Sequence, residues 1–303
     1  MTKQELTNLV TEILSQMHTG EPPVKAGDYK TVLYQNDEPR KQYRDGDFVP
    51  DVTALDLRKL YLVEDAADTE KFKKMKEKTP ARLGAGRAGP RYKTLTMLRF
   101  RADHAAAQDA VFSQVPEDFA AKNGLVAVTT RCRDKDEYLT RPDLGRCFDE
   151  ENQQKIRAAN SGTPDVQILV GDGLSSAAIA ANAMDCMKTI QDGLELRGIS
   201  CGAPIFARYC RVGAGDAVGD VTGCKVVCVL VGERPGLVTD KSMSVYLTYQ
   251  PRTGVSESSR TVVSNIHAQG TPAVEAGAHV AALIEKILKK QVSGVGLHLE
   301  DRA

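Results

Sequence analysis

Leu6, Leu9, Val10, Ile13, Leu14 and Met17 recur at i, i+3, i+4, i+7, i+8 and i+11, one face of a helix over residues 2–17, and Thr2 with Glu5 makes a capping box at its start. Residues 20–50 follow without sustained period and hold Pro22, Pro23, Pro39 and Pro50, the composition of a linker. A lone helix this short cannot keep its stripe in water, so it docks either on its own body or on a partner. Residues 51–112 read as helical: Val52, Leu55, Leu57, Leu60 and Tyr61 supply one apolar set, a charged run covers 68–78, and Thr94 opens a helix through Leu95, Leu98, Phe100 and Ala102 to Val111. From 113 onward short β-branched runs alternate with helical periods. The pattern predicts strands at 125–129, 166–170, 204–209, 225–231 and 245–249, and helices at 149–159, 175–196, 215–222 and 275–290. Such alternation indicates a parallel sheet covered on both faces, with ligands at the carboxyl ends of its strands. The loops at those ends are 171–175, 211–216 and 232–237.

Composition narrows the function classes. The chain has 303 residues, 40 Lys+Arg against 40 Asp+Glu, and 42% apolar residues. Zero net charge argues against a dedicated nucleic-acid binder, and the longest apolar run, 226–231, is far below the roughly 20 residues of a membrane span. Seven cysteines without a Cys-x-x-Cys pair read as reduced, mostly buried thiols of a cytosolic protein. Five scattered histidines have no metal spacing, so no metal site and no catalytic residue is expected in this chain. A basic stretch from Lys71 to Arg101 is read as a solvated helical face rather than an anion-binding surface.

Two motif matches fail on context. Gly84-x-Gly86-x-x-Gly89 lacks the strand before and the helix after that a dinucleotide fingerprint needs. Gly198-x-Ser200-x-Gly202 lies between a helix and a following strand, the reverse of a nucleophile elbow. Asp172-Gly173-Leu174-Ser175 ends a strand and opens a helix, which suits either an anion or hydroxyl-rich ligand or a simple N-cap serine. Gly232-Glu233-Arg234-Pro235-Gly236-Leu237 places a carboxylate and a guanidinium at the end of the most hydrophobic strand, where they are either paired with each other or bound to something. Arg211-Val212 and Ser264-Asn265-Ile266-His267 are two further rims of the same candidate surface.

Tyr138-Leu139-Thr140-Arg141-Pro142-Asp143-Leu144-Gly145-Arg146, Gly86-Arg87-Ala88-Gly89-Pro90-Arg91, Leu98-Arg99-Phe100 with Asp103-His104, and the Asp172–Ser175, Leu230–Leu237, Ser264–His267 and Ser293–Gly296 runs together resemble the small subunit of ethanolamine ammonia-lyase, in order, over about 80–298. The resemblance implies an α/β chain: a Rossmann-like parallel sheet domain over 113–303, preceded by a small helical domain over 51–112 and an N-terminal amphipathic helix on a linker over 1–50. It implies an adenosylcobalamin-dependent lyase converting ethanolamine to acetaldehyde and ammonia, with the catalytic barrel on a separate large subunit and this chain covering the cobalamin at the interface. Family cobalamin contacts fall on Val212, Glu233 and Val262, with Arg211 a candidate for the nucleotide end. Family members carry Cys where Val262 stands, so the contact expected there is a backbone or van der Waals one. The resemblance also implies packaging in a bacterial microcompartment of the cytoplasm, through docking of the N-terminal helix on shell or cargo, with neither membrane nor nucleic acid as partner. A non-enzymatic Rossmann-like binding or scaffolding module is the alternative.

Overall fold

The computed structural model describes residues 51–56, 59–64, 66–79 and 81–300, with the side chains of 298–300 left aside. The N-terminal helix and linker expected over 1–50 lie outside the described residues. The chain divides into two compact units, Met1–Ala105 and Ala106–Ala303.

In the first unit, helix α1 (Thr69–Glu77) is capped by the Asp68 carboxylate, and a two-residue hairpin joins β1 (Arg87–Ala88) to β2 (Arg91–Tyr92). Gly84, Gly86 and Gly89 all take positive φ around this hairpin, which is what the glycine motif does here. Helix α2 (Thr94–Phe112) brings Leu95 against Val52, Leu55, Leu60 and Leu62. The helix expected over 51–62 does not form among the described residues of that stretch. Val52–Ala54 turns as a short 3₁₀ segment, and Lys59 closes a single turn on Asp56. The carbonyls there are taken by cationic side chains instead of by amides one turn on. Arg99 donates to the oxygens of Val52, Thr53 and Leu55, and Lys76 to those of Leu60 and Leu83. Arg82 pairs with Asp103 at 2.6 Å and Lys93 with Glu64. Much of the basic stretch is thus spent inside its own unit.

The second unit is built on a six-stranded sheet in the order β3-β5-β4-β6-β7-β8. Strand β3 (Val126–Thr129) is followed by α3 (Lys135–Thr140) and α4 (Glu150–Ala158). Then come β4 (Val166–Asp172), α5 (Ser176–Glu195), β5 (Ile205–Arg208), α6 (Ala214–Thr222) and β6 (Val226–Gly232). The chain ends through β7 (Met243–Tyr249), β8 (Arg260–Ile266), α7 (Ala273–Lys290) and α8 (Val295–Glu300). Alternation along the strands splits the core in two. Ile168 and Val170 with Cys228 and Leu230 face α5 and α7, where Ile179, Ile190, Leu194, Val280, Ile284 and Ile287 close the layer. Leu169 with Val227, Val229 and Val231 faces α4 and α6, against Ile156, Ala214 and Val218.

Pairs β3–β5, β5–β4 and β4–β6 are parallel, but β6–β7 and β7–β8 are antiparallel, so the expected all-parallel sheet is corrected to a mostly parallel one. Parallel return needs a crossover of a dozen or more residues, usually a helix, and no helix separates β6 from β7 or β7 from β8 beyond one 3₁₀ turn at Glu257–Ser259. The connection after β4 runs to α5 on one face and the one after β5 runs to α6 on the other, so the carboxyl ends of these neighbouring strands form the switch point at which open α/β sheets bind ligands.

Candidate functional site

The antiparallel return decides which residues share the carboxyl edge of the sheet. Gly232 at the end of β6 pairs with Met243 at the start of β7, which in turn pairs with Ile266 at the end of β8. The loop after β6, the start of β7 and the end of β8 therefore meet at one place.

Glu233 stands there, half-buried. Its amide donates to the Ser242 carbonyl at 2.9 Å, closing the 233–242 loop. Its carboxylate accepts from Ser242 Oγ at 2.9 Å on Oε2, and from Ser244 Oγ at 2.5 Å and the Asn265 amide at 3.1 Å on Oε1. Arg234 is exposed, and among the described residues Glu233 forms no ion pair. The carboxylate is held by neutral donors, which opposes the reading of an ion pair internal to the loop. Asn265 reaches Glu233 by taking a left-handed φ of 62°, supported by Thr271 N donating to its carbonyl at 2.9 Å. His267 Nδ1 accepts from the Gln269 amide at 3.3 Å, which leaves Nε2 to donate to Asn265 Oδ1 at 2.8 Å.

The helix-opening serine proves to be structural. Ser175 Oγ accepts from Ala178 N at 3.0 Å as the N-cap of α5, and donates to the Asp240 carbonyl at 2.5 Å. Asn182 Nδ2 donates to Lys241 O at 2.8 Å. The Asp172–Ser175 loop thus anchors the far end of the Glu233 loop. A Cβ at Gly232 would collide with the Ser175 carbonyl, so only glycine lets the two loops approach this closely.

Arg211 and Val212 follow β5, with β4 between them and β6. Arg211 lies 4.2 Å over the Tyr138 ring and donates from Nη2 to the Tyr138 carbonyl at 2.7 Å, while its Nε is buried without an acceptor. Tyr138 in turn donates its hydroxyl to Cys210 O at 3.2 Å, so the Tyr138–Arg146 motif braces the loop that carries Arg211. Val212 is half-buried against the α6 face of the core. Val262 stays 45% exposed on the edge strand β8, opposite Tyr246.

Between these rims lies a buried polar group whose Asp172 belongs to the run named from sequence but whose Lys135 sequence reasoning missed. Asp172 accepts from Ser176 Oγ at 2.5 Å and, at 3.4 Å, from the Val115 amide. Lys135 donates to Gly173 O at 2.7 Å. Burial pushes the Asp172 carboxyl up, opposed by Ser176 and by Lys135, and pushes the Lys135 amine down, opposed by Asp172. The serine donors to Glu233 were also missed, although Ser242 and Ser244 sit two apart at a strand start, a spacing that puts both on one face. All seven cysteines are free thiols. Burial raises Cys186 and Cys210 to about 12, and Cys201 and Cys224 to about 11, so none of these four offers a reactive thiolate near neutral pH. Ser200 is committed to Asp165 at 2.7 Å, beside the amino end of β4. Among the described residues there is no group of three His, Cys, Asp or Glu side chains able to hold a metal.

The ethanolamine ammonia-lyase light chain (EutC) family matches residues 69–298 of the chain. A protein of Clostridium perfringens named ethanolamine ammonia-lyase small subunit is 52% identical over 297 residues, covering 98% of this chain and 100% of its own length. Its namesake in Clostridioides difficile is 57% identical over 249 residues, 82% of this chain and 85% of that one. The Listeria innocua protein of the same name is 50% identical over 299 residues, covering 98% and 100%.

Proposed function

The chain belongs to the ethanolamine ammonia-lyase light-chain family, a subunit family of a lyase, and from that premise we propose that it binds and shields adenosylcobalamin against a separate large subunit. The reaction is conversion of ethanolamine to acetaldehyde and ammonia. The family membership removes the non-enzymatic scaffolding alternative.

The donor set fits the cofactor. A corrin presents a ring of amide groups and a nucleotide tail with ribose hydroxyls, all able to donate to a carboxylate, around an apolar macrocycle. Glu233 offers a fixed acceptor, and Val262, on the edge strand, offers exposed apolar surface. In this reading Glu233 and Val212 hold the cofactor periphery, Val262 makes a van der Waals contact, and Arg211, gripped by Tyr138, lends positive charge to the nucleotide end. When bound, the cofactor supplies the radical chemistry. This chain contributes binding, orientation and exclusion of water, which keeps reactive species from side reactions. The Rossmann-like character of the sheet domain belongs to the same proposal, since the ligand would lie at the carboxyl ends of the parallel strands.

The observation that carries the reading is the Glu233 carboxylate, presented at the carboxyl edge of the sheet and held, among the described residues, by neutral donors. Glu233→Ala in the complex co-expressed with the large subunit removes the acceptor. A hydrogen bond to a charged group is worth about 1.5–3 kcal/mol, so cobalamin affinity falls roughly ten- to hundredfold in a spectrophotometric titration. Assembly, read by gel filtration, persists. Unchanged affinity with a lowered Tm would overturn the assignment.

The apolar spacing of residues 6–17 supports a second part of the proposal, packaging in a bacterial microcompartment of the cytoplasm by docking of an amphipathic N-terminal segment on shell or cargo. No helix among the described residues is long and apolar enough to cross a membrane. Deleting residues 1–20 leaves turnover by the complex near normal and abolishes co-purification with shells. Loss of turnover with encapsulation intact would assign that segment to the folded body instead.

A further inference from the structure

We infer that Ser242, Ser244 and the backbone amide of Asn265 form a clamp that positions Glu233 as an acceptor for an N–H or O–H donor of the bound cofactor. The inference rests on the cofactor reading of Glu233 and deepens it.

A carboxylate has about four acceptor sites, two on each oxygen. On Oε1 both are taken, by Ser244 Oγ at 2.5 Å and by Asn265 N at 3.1 Å. On Oε2 one is taken, by Ser242 Oγ at 2.9 Å. Among the described residues one site on Oε2 is left. The clamp therefore selects a ligand group by chemistry: an amide N–H or a hydroxyl completes the set, whereas a group that only accepts meets an oxygen already rich in charge. It also freezes a side chain with several rotatable bonds before the ligand arrives, so the entropy of ordering it is not charged against binding.

Each donor is fixed by something else. Ser244 is buried within β7, in register with Val231. Ser242 is held because Glu233 N bonds its carbonyl, and because Ser175 and Asn182 grip the two residues before it. Asn265 is held by His267 and Thr271, and the approach of Gly270 leaves no room for a Cβ beside the Asn265 side-chain amide at 2.7 Å. The three donors come from the loop, the strand and the edge strand, and converge on this carboxylate. These serines are positioning residues; they act through Glu233.

The test uses the complex with the large subunit and cyanocobalamin as probe. Ser242→Ala, Ser244→Ala and the double variant are titrated spectrophotometrically, each also in a Glu233→Ala background. The double variant loses about tenfold in affinity, in line with two hydrogen bonds to a charged acceptor less the replacement by water. With adenosylcobalamin, its KM rises while kcat at saturation is unchanged, and Ser242→Thr, which keeps the hydroxyl, restores affinity. In the Glu233→Ala background the serine changes cost nothing further. If the buried Ser244→Ala variant fails to fold or assemble, Ser242→Ala with its threonine rescue decides alone. Affinity lost in Glu233→Ala but retained in the serine variants overturns the clamp and leaves the cofactor reading standing. Equal losses with and without Glu233 overturn it too, because the serines then act on their own. Affinity retained in Glu233→Ala overturns the cofactor reading itself, and the clamp with it.

Discussion

Arg260→Met removes the cation from the most buried ion pair among the described residues. Arg260 opens the edge strand β8, with its side chain only 3% exposed, and its guanidinium meets Asp216 on α6 in a bidentate pair of 2.8 and 2.7 Å. Asp216 is 8% exposed. Thr248 adds a third contact at 3.1 Å and Glu257 a fourth at 2.6 Å, although Glu257 is 65% exposed and counts for little in water. Pairing with Asp216 holds the guanidinium pKa above its usual value against the opposing effect of burial. Removing the cation leaves the Asp216 carboxylate buried and uncompensated, a loss of about 3–5 kcal/mol. For a unit the size of Ala106–Ala303, at about 2–4 °C per kcal/mol, Tm of the full chain falls by roughly 6–20 °C in calorimetry. The double variant Arg260→Met/Asp216→Leu recovers most of the loss, because exchanging a buried pair for apolar groups of similar volume is close to neutral. A single variant that melts within about 2 °C of the parent, or a double variant no better than the single, refutes the reasoning; the threshold is the smallest shift expected per kcal/mol.

Alkaline stability is a second test. An unfolded thiol titrates from 9.0, while Cys186 and Cys210 hold their protons to about 12, so the folded state binds more protons between those values and stability falls as pH rises through the window. At pH 10 each such thiol withdraws about 1.4 kcal/mol; Cys186→Ala flattens the slope of urea-derived stability above pH 9, and an unchanged slope refutes the assignment. Gly232→Ala drives a methyl group into the Ser175 carbonyl, which costs about 1–3 kcal/mol as an overpacked site and displaces the Glu233 loop. Its cobalamin affinity in the complex falls further than its Tm accounts for, and a variant with normal affinity would show that the loop does not need the close approach.

After residue 113 the central strands and the long helices were legible because burial on both faces leaves a plain signal, whereas the edge strand Arg260–Ile266, with Val262 and Asn265 exposed, and the short helices Lys135–Thr140 and Val295–Glu300 were not. The run Val226 to Val231 is apolar throughout since each face of β6 meets a packed layer, and Ser175 announces its helix because an N-cap must carry a short acceptor. The loops that hold Val212 and Glu233 could be located for the same reason, as the ends of recognisable strands. Pairing was not legible. Nothing local in 243–249 or 260–266 says that these strands turn back antiparallel; the absence of a crossover helix does, and only once their neighbours are known. That return carries Ser242, Ser244 and Asn265, which stand 9, 11 and 32 positions beyond Glu233, to the same carboxylate. In the first unit the apolar spacing of 51–62 suited a helix, and among its described residues Arg99 and Lys76 take the carbonyls of Val52, Leu55 and Leu60 instead. Periodicity reports which face of an element is buried; which element lies on the other side, and which polar groups it brings, follows from long-range packing, and the acceptor geometry of Glu233 is a product of that packing alone.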